Sequence, residues 1–582
     1  MERARLIKLV GINLIILSLV LSLFSVLAAL SLRNERLKFY NKEDIIVKDF
    51  YVKTRDNTEL KGSVYIDKEL EEEEDNSVPT ILMINGINAR KEFNLEKAFR
   101  LAKRGYAVFV VEQRGHGVSG GPSGFMSREP KDMEEVIDFI EDKYDFANTS
   151  HMGLLAFSYG GGIGAILQAK DDRIYATVLY HPLTSLKGVT ERIPFQNLVG
   201  TTQVIEDIDK IKDARDIADE DNSENLLIIQ GMKDTVIIPE ESEKFYNSLD
   251  GKDREDIALE KRPGLNHFDN EKNGDSFKYA LVWFEHFYHD NSVNITNRDE
   301  EIKDISLEPF NYPDNIISEV LLISSVILLF IGMSLLMINF KITPLWENKS
   351  TVKIEVNTPE KKKRYKRMLL LRTIFYVVGV VISGIIFLFF NNSVVMGYFL
   401  FYPLITIIPM LFIPSDLHKN WKEEWLTWIR NDSKLLLYNI ILISIPTILF
   451  ISIFNLNTSL MLKSPIPFFN TTFLYYICIF FSTIFLDYLY LREWIPRHTK
   501  ILMVIRPMTL FMFVLFVPLK PFPLLGGMVT YLLLFMLIGV VLYYFRQFAL
   551  NISKFYKNTI SMYGLIIFPI VLITIYLFFR II

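Results

Sequence analysis

Leu154-Leu155-Ala156-Phe157-Ser158-Tyr159-Gly160-Gly161-Gly162 is an apolar run that stops at a serine and passes into glycine. The run reads as a buried strand, and the glycines begin a helix with little side-chain bulk. A strand that turns directly into a helix pushes the corner side chain out at the edge of a sheet. Only small neighbours permit the tight backbone approach on either side. Ser158 stands at that corner between Ala156 and Gly160, the small-x-Ser-x-Gly pattern of a nucleophile elbow.

Outward from the elbow, strands and helices alternate. Asp44–Asp67 alternates polar and apolar residues around Arg55-Asp56-Asn57-Thr58, as a β-hairpin does. Thr80–Ile84, Ala107–Glu112, Ala176–Tyr180, Leu226–Gln230 and Ile257–Arg262 read as short strands. Helical patterns run over Leu95–Arg104 and Glu134–Asp142, and a final helix carries His286 and His289. The acidic run Glu69–Asp75 reads as a solvated loop, and Thr184–Glu224 as a polar insertion. Within the insertion, Ile193-Pro194-Phe195 and Leu198-Val199 either line a pocket or pack against the domain. This alternation predicts a mostly parallel sheet with helices on both faces. Ligands in such sheets bind beyond the carboxyl ends of the strands, where every motif of interest falls.

Several ordered pieces accompany the elbow: Ile84-Asn85-Gly86, Glu112-Gln113-Arg114-Gly115-His116-Gly117-Val118-Ser119-Gly120-Gly121, Gln230-Gly231-Met232-Lys233-Asp234 and Pro263-Gly264-Leu265-Asn266-His267. With them the chain resembles the α/β-hydrolase superfamily over about residues 44–290, in its serine aminopeptidase, monoacylglycerol lipase and X-prolyl dipeptidyl-peptidase-like branches. The order of nucleophile, acid and histidine is kept. The resemblance implies that Ser158 is a nucleophile, His267 its base and Asp234 the carboxylate that orients the base. It also implies that the backbone N–H groups of Tyr159 and Ile87 form an oxyanion hole. Asn85 stands where the family often has histidine. His116 and His181 are rival bases, although the Arg-Gly-His-Gly motif around His116 is usually a structural loop. Asp234 could instead be a turn aspartate that caps a helix. Gly160, Gly161, Gly162 and Gly164 read as tight helix–sheet packing rather than substrate contacts. No cofactor or metal is expected.

The remainder of the 582 residues is of another kind. A run from Leu9 to Leu30 follows Arg3 and Arg5 and exceeds the apolar core of a signal peptide, roughly 7–15 residues, so an uncleaved anchor is expected. Ile316–Phe340 is a second apolar run. Further runs lie near 369–390, 394–413, 435–454, 471–491, 501–518, 524–545 and 560–580, which makes about nine spans of a bilayer core about 30 Å thick. Lys and Arg gather in alternate connections, above all in Lys361-Lys362-Lys363-Arg364-Tyr365-Lys366-Arg367. Such residues are retained on the cytoplasmic side. The expected organisation is a cytoplasmic N-terminus at 1–8, an anchor at 9–31 and an extracytoplasmic α/β-hydrolase domain at 40–295. A second span at 316–340, a basic cytoplasmic loop at 341–368 and an all-α bundle of spans three to nine at 369–582 follow. Asp487 and Arg506 are the charged exceptions within the spans, read as an ion pair or as snorkelling side chains.

Cys478 is the only cysteine, so neither an intrachain disulfide nor a cysteine metal site is possible. A formal net charge of −4 is close to balance and points to no nucleic-acid partner. The reading is a membrane-anchored serine hydrolase cleaving ester, thioester or amide bonds in a small-molecule, lipid or peptide acyl substrate. The rival is a transporter or sensor whose hydrolase-like domain only binds ligand.

Overall fold

The computed structural model describes residues 2–339 apart from 74–76, 88, 122, 125, 186–212, 290–292 and 315. Beyond 339 it describes residues 452–461 and parts of 358–378. The expected spans three to nine fall almost wholly outside the described residues, as do Asp487, Arg506 and the apolar stretch 193–199 of the insertion.

Helix α1, Glu2–Lys42, leads into the hairpin of β1, Ile45–Lys53, and β2, Glu59–Asp67. Then come β3, Val78–Ile84; α2, Leu95–Ala102; β4, Ala107–Glu112; α3, Glu129–Lys143; and β5, Ala147–Phe157. The elbow helix α4, Tyr159–Gln168, precedes β6, Ile174–Tyr180, and β7, Leu226–Gly231. The last elements are α5, Pro239–Ser248; β8, Ile257–Arg262; α6, His267–Lys272; α7, Gly274–Tyr288; α8, Arg298–Asp304; and α9, Ile317–Asn339.

The eight strands form one sheet in the order β1-β2-β4-β3-β5-β6-β7-β8. Pairings β1–β2 and β2–β4 are antiparallel; the remainder are parallel. Two successive reversals give β1 the same direction as β4. Ile45, three residues beyond the end of α1, thus lies at the amino ends of the parallel strands.

The apolar run of β5 explains itself in this setting. Side chains alternate between faces along a strand. Leu154 and Ala156 join the core under α3 and α4, while Leu155 and Phe157 join the opposite core under α2 and α7. Both faces are covered, so no polar residue interrupts the run. Sheet order reverses between β3 and β5: β4 lies to one side of β3, and β5 to the other. Ile84 pairs with Ala156, so Asn85-Gly86 runs on beside Phe157-Ser158. A crevice at such a reversal is where doubly wound sheets take their ligands.

Helix α1 is one continuous helix through the apolar run and twelve residues past Leu30, a finding that the run alone did not predict. Among the described residues it is the one helix long and apolar enough to cross a membrane. Helix α9 packs antiparallel to it: the hydroxyls of Ser22 and Ser325 are 2.8 Å apart, and Ser25 Oγ donates to Ser318 O at 2.6 Å. Helical residues 452–460 add Asn457, whose amide donates to Ser25 Oγ and Ser318 Oγ at 2.5 and 3.0 Å. Just outside that apolar pair Arg36, fully buried, donates from Nε to Pro313 O at 2.9 Å, and Tyr40 Oη to Tyr312 Oη at 3.2 Å. The chain therefore enters and leaves the α/β unit at one place.

Candidate active site

Ser158 has φ 53° and ψ −114°, a region that side chains other than hydrogen rarely adopt. Three backbone bonds hold it there. Ser158 N donates to Tyr180 O at 2.9 Å, and Ser158 O accepts from Leu183 N at 2.8 Å and Gly162 N at 3.2 Å. A residue kept in such a conformation costs on the order of 1–3 kcal/mol and persists only where its surroundings over-determine it. The return is position: the side chain stands clear of the sheet at the carboxyl end of β5.

The glycines behind it pack rather than bind. A Cβ on Gly160 would overlap the carbonyl oxygens of Ile84 and Asn85, and one on Gly161 would come within 2.8 Å of Pro182 Cα. Gly86 faces the serine, its Cβ position being 3.4 Å from Ser158 Cβ. The loop that holds Ile87 thus passes directly over Ser158, and Tyr159 opens α4 beside it.

Around Ser158 the structure gathers the other two residues expected from the sequence. His267 Nε2 lies 3.0 Å from Ser158 Oγ, and His267 Nδ1 lies 2.6 Å from Asp234 Oδ2. All three side chains are buried. Asp234 is held by its other oxygen, which accepts the N–H groups of Val236 at 2.8 Å and Ile237 at 3.0 Å. The His267 loop approaches β7 closely at Gly231, where a Cβ would stand 2.7 Å from Leu265 O. Asn266 then caps α6, its side chain accepting from Asp269 N. The chemistry available is proton transfer from a hydroxyl to an imidazole whose far nitrogen is held by a carboxylate.

His181, Asp234 and His267 offer ligand-type atoms that all lie within 4.8 Å of one another. The donor set is a poor cradle for an ion. Two ligands on one tetrahedral zinc, each about 2.0–2.2 Å from it, stand roughly 3.3 Å apart. The 2.6 Å between Asp234 and His267 is a hydrogen bond.

The rival histidines do not reach Ser158. His116 is buried, donates from Nδ1 to Arg114 O at 2.9 Å, and stacks on Tyr159 with ring centroids 5.6 Å apart. Burial pushes its titration down, as suits a neutral loop residue. His181 directly follows β6, its ring tilted against that of His267 with centroids 3.9 Å apart. His286, on α7, donates from Nδ1 to Val293 O at 2.8 Å.

One group of residues was not singled out from the sequence. Asn94, Lys97 and Glu271 form a buried polar cluster behind His181 and His267. Asn94 Nδ2 donates to Glu271 Oε1 at 2.9 Å and to Asn85 Oδ1 at 2.8 Å, and Lys97 Nζ donates to Asn94 Oδ1 at 3.1 Å and to the Glu271 carbonyl. The available signal was Glu271 four residues after His267, one helical turn away.

A comparison with family models matches residues 91–290, roughly a third of the chain, to the prolyl oligopeptidase family. The matched stretch contains Ser158, Asp234 and His267 on the sheet just described. The α/β unit is a serine hydrolase with the α/β-hydrolase fold. Solved structures similar to this hydrolase include an esterase from Pyrococcus furiosus, 17% identical, covering 42% of this chain and 95% of the esterase with a TM-score of 0.33. Others are an α/β hydrolase from a Penicillium species, 13% identical over 42% of this chain and 99% of its own with a TM-score of 0.35, and a hydrolase from Pseudomonas aeruginosa, 18% identical over 41% and 98% with a TM-score of 0.31. No curated protein matches the hydrolase chain.

Proposed function

We propose that this chain is a membrane-held hydrolase that cleaves ester, thioester or amide bonds through an acyl-enzyme, with Ser158, His267 and Asp234 as its catalytic residues. The observation that carries the reading is the unbroken line from Asp234 Oδ2 through His267 to Ser158 Oγ, at 2.6 and 3.0 Å. His267 takes the Ser158 proton as Oγ attacks the acyl carbon. The oxyanion that forms is met by the N–H groups of Tyr159 and Ile87. Its collapse expels the alcohol, thiol or amine, which leaves with the proton held by His267. Water, deprotonated by the same imidazole, then releases the acid and frees Ser158.

Ile87, Met232 and Phe268 are exposed apolar side chains, next in sequence to Gly86, Gly231 and His267. An apolar rim of this kind supports an uncharged acyl or leaving group. Helix α1, paired with α9, supports attachment to a bilayer, and the expected lysine and arginine distribution supports an extracytoplasmic domain.

The full chain in detergent, treated with a fluorophosphonate probe, is expected to be labelled at Ser158 and not in Ser158→Ala. Folded wild-type protein that resists the probe would favour the ligand-binding alternative. Added protease that fails to cut the domain in intact cells would place it on the cytoplasmic side instead.

A further inference from the structure

We infer that Glu271, beside the ring of His181, is a second carboxylate that supports His267. The inference rests on the proposed role of His267. Glu271 and His181 touch no reacting atom in it and are positioning residues.

The geometry is specific. His181 is wholly buried, with its ring 3.9 Å from the His267 ring at an interplanar angle of 38°. The Asn270 amide donates to Ile229 O at 3.2 Å while its oxygen accepts from Ser276 Oγ at 2.8 Å, which fixes its orientation. The same NH2 group lies 3.4 Å from His181 Nδ1. Nδ1 of His181 is thus the acceptor, and its proton resides on Nε2. That nitrogen makes no hydrogen bond among the described residues, and Glu271 Oε2 lies 3.9 Å from it. Burial, with His267 and Lys97 nearby, holds His181 far below the ordinary imidazole range. The ring against His267 is accordingly neutral and does not repel the imidazolium that His267 becomes in each proton transfer.

The charged groups around the pair come from three elements. Asp234 follows β7, Glu271 lies on α6, Lys97 lies on α2, and Lys272 adjoins Glu271. The charge of Glu271 acts on His267, and Lys97 carries the opposite sign beside Glu271.

The rate of fluorophosphonate labelling of Ser158 in the full chain, followed against pH, reads this directly without a known substrate. In Glu271→Gln the acid limb is expected to move down by about half a pH unit or more, with slower labelling at its plateau. In Lys97→Met the limb is expected to move up. Limbs that stay at the wild-type position in both variants overturn the inference, even if both label slowly. If Glu271→Gln does not fold, Lys97→Met decides in the same way. Wild type that does not label at Ser158 would sink the hydrolase reading itself, and this inference with it.

Discussion

Asp234 divides its carboxylate between His267 and its own loop: Oδ2 lies 2.6 Å from His267 Nδ1, and Oδ1 accepts from Val236 N and Ile237 N. One carboxylate thus closes its own turn and bonds His267, and it caps no helix, since the cap position of α5 is Ile238. In Asp234→Asn the amide oxygen can keep the loop, leaving the NH2 group to face Nδ1. His267 must then carry its proton on Nε2, where it cannot accept one from Ser158. Labelling or turnover should fall on the order of 10³–10⁴-fold with little change in melting temperature.

Ser158 holds its corner position at the cost of backbone strain, which glycine would relieve. Ser158→Gly is expected to abolish labelling and to stabilise the domain by about 1 kcal/mol or more. Calorimetry that shows a lower melting temperature than wild type would mean the corner is unstrained.

Gly160 has no room for a methyl group, because the carbonyl oxygens of Ile84 and Asn85 occupy it. Backbone cannot rotate away as a side chain can. Gly160→Ala should cost about 1–3 kcal/mol in denaturant unfolding. It should also slow labelling, since the yielding segment leads directly into Gly86 and Ile87. Undiminished stability would show that β3 and α4 are less closely seated.

Glu112 joins two loops near the site, accepting from Lys91 N at 3.1 Å and Val118 N at 2.7 Å. Burial, with Glu92 nearby, pushes its carboxyl up to about 7 from the model-compound value of 4.5. Between those values the folded state keeps a proton that the unfolded chain has released, so this group's contribution to stability falls as pH rises. Glu112→Gln should flatten the decline in melting temperature from about pH 4.5 to pH 7. An unchanged slope would assign that decline to other groups.

Much of the fold was legible because it rests on local signals. The run Leu154–Phe157 had to be a strand covered on both sides, and the Ser158 corner needed small neighbours. The boundaries of β1, β2, β4 and β8 follow alternation and turn residues within a residue or two. That His267 and Asp234 would meet Ser158 was legible through the motifs that carry the family resemblance. The cluster of Asn94, Lys97 and Glu271 was not, since each reads as an ordinary helical polar residue. Only the stacking of α2 and α6 over the sheet edge takes them out of water together. The length of α1 was hidden for a related reason: residues 31–42 are polar enough to suggest a loop, and they are helical through contacts with residues 312–314.

Ile45 lies at the amino ends of the parallel strands, whereas Ser158, Asp234 and His267 stand at the carboxyl ends. The mooring of the hydrolase and its doorway are at opposite poles. With Arg36 and Tyr312 drawing the incoming and outgoing threads together, the catalytic head hangs from a two-stranded stalk. Such a head is a removable module: another fold whose ends also meet could take its place without rethreading the helices beneath it.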